Sequence, residues 1–263
     1  MFFCSGASGH SIWAPPTPGI QCQRNCVPVF QVLVESLNFT GMIQKATLKF
    51  LEDLRRNNNK PWFDAHRKAY EAAREDFAAF IDSLIAAFGK TEPAILHLKA
   101  KDCMFRINRD VRFSKNKEPY KTNFGAYINA EGKKSLKGGY YFHLEPGGSF
   151  TGGGLWQPMP TELAKIRQEI DYNLPEFDKI LGSKKFRDTY GGLTVEAGQI
   201  LSRVPKGYEP DNPAATYLKY KSFTALANLP DTVLTGSALL STTVKAFQTL
   251  LPLITFINRG IDE

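Results

Sequence analysis

Residue types that usually announce a function are thin in this chain. Of its four cysteines, Cys4, Cys22 and Cys26 crowd the first 26 residues and only Cys103 lies in the rest. Their spacings match no zinc or redox motif, and one remaining thiol builds no disulfide framework, which fits a reducing, cytoplasmic setting. Histidine occurs four times, with His66, His97 and His143 beyond residue 41, and no metal-ligand cluster is legible around them. No apolar run approaches the roughly 20 residues of a membrane span, so no membrane partner is expected. A basic stretch followed by an apolar one is missing at the N-terminus, which argues against a cleaved secretory signal. There is no internal repeat, no Ser-His-Asp order and no recognisable cysteine nucleophile.

What is present is an ordinary globular composition with a basic excess. Hydrophobic residues make up 43% and charged residues 22% of the 263, values that exclude global disorder. Nineteen Phe, ten Tyr and three Trp predict an aromatic-rich core. The net charge of +7 favours anionic partners. Between Lys101 and Lys121 stand seven Lys or Arg and three acids, so the excess is concentrated.

Residues 1–41 have prolines, glycines and stray cysteines without sustained periodicity. They read as an unstructured N-terminal extension, either upstream of a natural start at Met42 or a genuine flexible tail or short targeting arm. From Met42 to residue 263 a single α+β domain is expected: a central antiparallel sheet flanked by N-terminal and C-terminal helices. The apolar stripe at 43, 47, 48, 50, 51 and 54 predicts a first helix. NNNKP breaks it, with Asn59 or Lys60 at the cap and Pro61 opening a second helix that keeps its period to Phe88. Strands follow in DCMFRINRDVRF, NFGAYINA, GYYFHLEP and SFTGGGLW, with Pro146-Gly147-Gly148 as a turn. Helices return at TELAKIRQEIDYN, PEFDKILG and 184–190. ATYLKYKSFTALA reads as part helix and part strand, and a last helix covers about 235–258 with a kink or restart at Pro252.

Two constellations carry possible chemistry. In FRINRDVRF, strand alternation puts Arg106, Asn108, Asp110 and Arg112 on one face and Phe105, Ile107, Val111 and Phe113 on the other. Arg106 and Arg112 with Asn108 between them could fork around a carboxylate or phosphate, and Lys115 and Lys121 of the following loop would add charge. The competing reading is a solvated face with its arginines paired to Asp110 or another acid. In YYFHLEP the same alternation puts Tyr141, His143 and Glu145 together, and His143 with Glu145 is an acid–base pair in prospect. Its competitor is a half-buried strand histidine bonded to a neighbour. Gly152, Gly153 and Gly154 lack the ending of a phosphate loop and read as a bent strand beside Trp156. Lys219 and Lys221 of LKYKSF share a strand face in this reading.

The ordered set TLKFLEDLRRNNNKPWFDAHRKAYE, FRINRDVRFSKNKEPYKTNFGAYI and YYFHLEPGGSFTGGGLWQP, with IRQEIDYN, PKGY and LKYKSF after it, resembles one family. It is the domain-of-unknown-function family two-four-six-one, conserved hypothetical proteins of bacteria and fungi. The resemblance runs from Met42 to the C-terminus. It implies a single α+β domain and brings no cofactor or catalytic residue with it. The residues themselves point first to an enzyme or ligand-binding protein for a small phosphorylated or carboxylated molecule, with Arg106, Asn108, Arg112, Lys115 and Lys121 on the anion and His143 or Glu145 handling a proton. A nucleic-acid binder stacking bases on Tyr120, Phe124 or Tyr127 is the alternative. A non-catalytic protein-interaction module is another.

Overall fold

The computed structural model describes residues 41–196 and 198–262. The expected N-terminal extension therefore falls, apart from Gly41, outside the described residues. The first helical stripe forms α1 (Lys45–Arg56), which buries Phe50, Leu51 and Leu54. Asn59 caps α2 (Lys60–Ala65): its side chain accepts the Trp62 N–H at 3.0 Å, with Pro61 in the first turn. His66 leaves helical geometry (φ −107°, ψ 20°), so the long helix expected from Trp62 is divided there, and α3 (Arg67–Phe88) begins anew. A 3-10 turn (Pro93–Ile95) and α4 (Ala100–Cys103) lead towards the sheet.

The four strands β1 (Phe124–Ile128), β2 (Gly139–Leu144), β3 (Phe150–Leu155) and β4 (Phe223–Asn228) lie in that order and are antiparallel throughout. Between β3 and β4 come α5 (Pro160–Tyr172), α6 (Leu174–Gly182), α7 (Lys184–Tyr190) and α8 (Ala215–Leu218). After β4, α9 (Asp231–Leu234) precedes α10 (Leu239–Asp262), which runs unbroken through Pro252. Among the described helices, α10 has the length and mean hydropathy of a membrane span. Its Phe247, Leu250, Leu253 and Ile257 are buried in the core.

Alternation divides the sheet. Phe124, Ala126 and Ile128 of β1, Tyr140, Phe142 and Leu144 of β2, and Phe223 and Ala225 of β4 are buried. Their aromatic rings meet α3: Phe77 lies 5.4 Å from Phe124, Phe80 4.8 Å from Phe142 and Phe88 4.7 Å from Tyr140. β3 supplies the close approach on which this packing depends. A Cβ on Gly153 (φ 156°) or Gly154 (φ 120°) would run into the carbonyl of Gly139 or Phe223 on the neighbouring strands. The glycines thus serve close approach to the neighbouring strands, with which β3 pairs in continuous register.

One expected strand is not formed. DCMFRINRDVRF begins inside α4, makes only the isolated bridges of Met104 with Ala126 and Asn108 with Tyr120, and otherwise runs as an irregular loop. Phe105 is 41% and Phe113 96% exposed, while Ile107 is buried, so the apolar set does not share a face. The loop satisfies its backbone in other ways. Arg109 N–H donates to Pro119 O, Lys121 N–H to Ile107 O, and Asn58 clamps Tyr120 through both its backbone N–H and its carbonyl. Lys219 and Lys221 likewise precede β4 rather than lying in it.

Candidate functional site

The face of the sheet turned away from α3 carries the polar chemistry. On β2, Tyr141 and His143 point to this side, and Glu145 follows just past the strand end. Their side chains form a chain of hydrogen bonds. Tyr141 Oη is 3.2 Å from His143 Nδ1, and His143 Nε2 is 3.2 Å from Glu145 Oε2. The tautomer that satisfies both has the phenol O–H donating to Nδ1 and the Nε2–H donating to the carboxylate. Thr122 Oγ1 donates to the other carboxylate oxygen at 2.9 Å, and Asn123 Nδ2 lies 3.5 Å from Nδ1. The imidazole stacks on Phe150, with centroids 4.5 Å apart and planes 7° from parallel. Gly125 pairs with His143 across the ladder, and a Cβ there would strike the Tyr141 hydroxyl. A glycine is therefore what leaves room for the phenol.

Burial dominates the protonation of this chain. It lowers the His143 pKa from the ordinary 6.5; the Glu145 carboxylate opposes that shift and the Lys121 ammonium adds to it. Burial and then Glu145 push the Tyr141 phenol up to about 12. At neutral pH the resting state is a neutral phenol and a neutral imidazole beside a carboxylate.

Tyr141 also lines a groove of about 540 Å³. Its other walls are Phe105, Tyr127, Phe150, Trp156, Leu226 and Thr224, with Lys121, Lys133, Ser135 and Glu196 as the remaining polar side chains. The backbone of Gly153, Gly154 and Leu155 also borders it. The Lys121 ammonium sits 5.4 Å over the Phe105 ring. Burial first, and then the Arg106 guanidinium, lower the pKa of Lys121. Among the described residues, no carboxylate pairs with Lys121. Lys133 instead donates to the Met104 carbonyl at 2.7 Å.

The expected site residues are divided by the fold. His143, Glu145 and Lys121 come together, because the loop ending at Lys121 feeds β1 and β1 pairs with β2. Arg106 lies beside Lys121 but outside the groove wall. Arg112 is exposed and forks onto Asp110, Nε at 3.0 Å from Oδ1 and Nη2 at 2.6 Å from Oδ2, which holds that carboxyl below its usual range. The expected fork of Arg106, Asn108 and Arg112 around one anion is therefore not assembled. Asn108 bridges to Tyr120, and Lys115 is exposed beyond it on the loop. Phe105, Lys133 and Glu196 join the site unannounced, with Tyr127, expected only as a base-stacking ring. Tyr127 could be read from its alternation with Gly125; Lys133 and Glu196 come from loops whose meeting no local pattern signals.

A second cavity, of about 610 Å³, lies between α10 and the start of β2. Its cations are already committed: Lys137 to Glu131 and Asp262, and Arg259 to Glu169 and Glu176. The groove by Tyr141 is the better candidate on chemistry. Among the described residues no three His, Cys, Asp or Glu side chains converge on a metal position.

No curated protein and no solved structure matches the chain. The family model described as conserved hypothetical protein (DUF2461) matches residues 46–256, which include α2 to α9, the whole sheet and every groove residue. On that match the chain belongs to the DUF2461 family of conserved hypothetical proteins.

Proposed function

We propose that this protein binds a small anionic molecule, phosphorylated or carboxylated, in the groove on the open face of the sheet and exchanges a proton with it. The observation that carries the reading is Lys121. It is a partly desolvated ammonium with no carboxylate partner among the described residues, in the same groove wall as the phenol that heads the Tyr141–His143–Glu145 chain. A cation in that setting gains more from a bound anion than it would in water. The phenol gives the groove a titratable group in hydrogen-bond contact with a base.

Proton transfer follows from the tautomer. As a ligand proton reaches Tyr141 Oη, the phenol proton passes to His143 Nδ1, and the imidazolium that forms is held by Glu145. Running the chain backwards delivers a proton to the ligand. With the phenol raised to about 12, a free tyrosinate does not accumulate at neutral pH, so the two transfers are coupled.

Thermal-shift screening of the full chain against carboxylates and phosphates tests this. Binding is expected to raise the midpoint by a few degrees at ligand near 100 times Kd. Lys121→Met is expected to abolish the shift, and Arg112→Ala to leave it intact. If no anion moves the midpoint, or Lys121→Met responds like the wild type, the reading fails.

A further inference from the structure

The groove also specifies what kind of anion it takes. We infer that its ligand is a planar aromatic monoanion: a flat ring system bearing one carboxylate or sulfonate, with its ring against the aromatic walls and its charge at Lys121. This assignment rests on the small-anion reading and narrows it.

Shape comes first. On the open face, Gly152 of β3 stands opposite Tyr141 and Leu226, and Gly154 stands opposite Gly139 and Thr224. The Tyr141 phenol lies over Gly125 and the Tyr127 ring over Gly139, while Gly153 and Gly154 leave bare backbone at the groove between these aromatic walls. Phe105, Tyr127, Tyr141, Phe150 and Trp156 stand around it. Trp156 is 59% and Phe105 41% exposed, large apolar faces with room for a ring to cover them. A volume of about 540 Å³ lies in the usual range for a small ligand.

Charge comes second. Two lysines line the groove, but Lys133 is tied to the Met104 carbonyl, and Glu196 repels additional negative charge. No arginine is among the lining residues, so the bidentate fork that suits a phosphate is missing from the walls. Arg106 reinforces the field at Lys121 from outside. Two ammoniums against the one carboxylate of Glu196 leave the lining a single net positive charge, which matches one negative charge on a flat body. It does not match a nucleoside polyphosphate.

The test uses the full chain and four probes: 2-naphthoate, 2-naphthamide (same ring, no charge), cyclohexanecarboxylate (same charge, no aromatic ring) and adenosine monophosphate. Affinities come from calorimetry, with the tryptophan fluorescence that Trp156→Ala removes as a second readout. 2-Naphthoate is expected to bind at least about tenfold more tightly than each of the others, the size of one charge-assisted contact. Lys121→Met is expected to remove that advantage over 2-naphthamide, and Trp156→Ala to weaken both naphthalene probes. Both variants are checked for an unchanged unliganded midpoint, since each side chain lies at a partly exposed site. If adenosine monophosphate binds as well as 2-naphthoate and depends on Lys121, the monoanion half of the assignment is overturned, and if cyclohexanecarboxylate does, the aromatic half is, while the anion site stands. Equal binding of 2-naphthamide and 2-naphthoate also overturns it. If no probe binds, or Lys121→Met binds every probe like the wild type, the assignment and the underlying reading fall together.

Discussion

Burial sets the protonation of His143 more strongly than its charged neighbours do, and this gives the candidate site a pH signature. Its side chain is 14% exposed, faces Glu145 and Lys121, and touches Tyr141 and Asn123. The folded pKa lies below the ordinary 6.5, so the folded state prefers the neutral ring. Above about pH 6.5 neither state is protonated, and the contribution to stability is complete. As pH falls below that value the unfolded chain takes up the proton first, and the contribution is lost down through the folded pKa. His143→Gln has no such titration. The wild-type midpoint is therefore expected to exceed that of His143→Gln by a margin that shrinks between about pH 7.5 and 5. Thermal denaturation of both proteins across that range checks it, and a constant margin would sink the account. Titration at Lys121 works in the opposite pH direction. Its lowered pKa means that anion binding should weaken in alkaline solution before pH 10.5 is reached.

At the scale of elements, α10 is fastened to α5 and α6 by one arginine. Arg259 Nε donates to Glu169 Oε1 at 2.7 Å, and its Nη2 to Glu176 Oε2 at 2.7 Å. Glu169 is only 3% exposed, whereas the Arg259 side chain is 40% exposed. Removing the arginine leaves a carboxylate out of water with only Asn173 Nδ2 to bond it. Arg259→Ala is expected to cost on the order of 2 kcal/mol, discounted from a fully buried pair for the exposed guanidinium. Glu169→Gln, which removes the charge that needs solvation, should cost less. Equal midpoints for the two variants would show that the carboxylate is not what the arginine protects. Such cross-chain ties are invisible locally, yet many of the elements they join were legible. NFGAYINA, GYYFHLEP and SFTGGGLW read as strands between turn signals, and all three form. The segment FRINRDVRF shows a similar alternation and forms no strand. Charged residues at every other position satisfy a loop as well as a sheet face when they pair with one another, as Arg112 does with Asp110 and Arg109 with Glu118. His143 and Glu145 were readable because they stand two residues apart at the end of one strand. The groove was not, because Phe105, Lys133, Trp156 and Glu196 meet only after the whole sheet and its loops are in place.

At the scale of the whole molecule, the same pairing decides how the net charge of +7 is displayed. Residues 1–41 contain one arginine and one glutamate, so the excess belongs to the chain beyond them. Its densest segment, Lys101 to Lys121, looks like a polynucleotide track in composition. Folded, Arg112 is committed to Asp110, Arg109 lies 3.6 Å from Glu118, and Lys117 Nζ donates to the Val111 carbonyl at 3.0 Å. Lys121 is turned into the groove. A backbone track works by releasing a counterion for each phosphate that meets a free cation, so its affinity falls steeply with salt. Lys101, Arg106 and Lys115 are the exposed cations left without a partner among the described residues, about three phosphate contacts at most. Single- and double-stranded oligonucleotides are therefore expected to bind weakly at about 20 mM salt, with a log–log salt slope of no more than about three, and not at all near 150 mM. A slope of about five or more in the same titration would mean that these arginines leave their acids for phosphate, and would restore the extended-track reading at the expense of the groove.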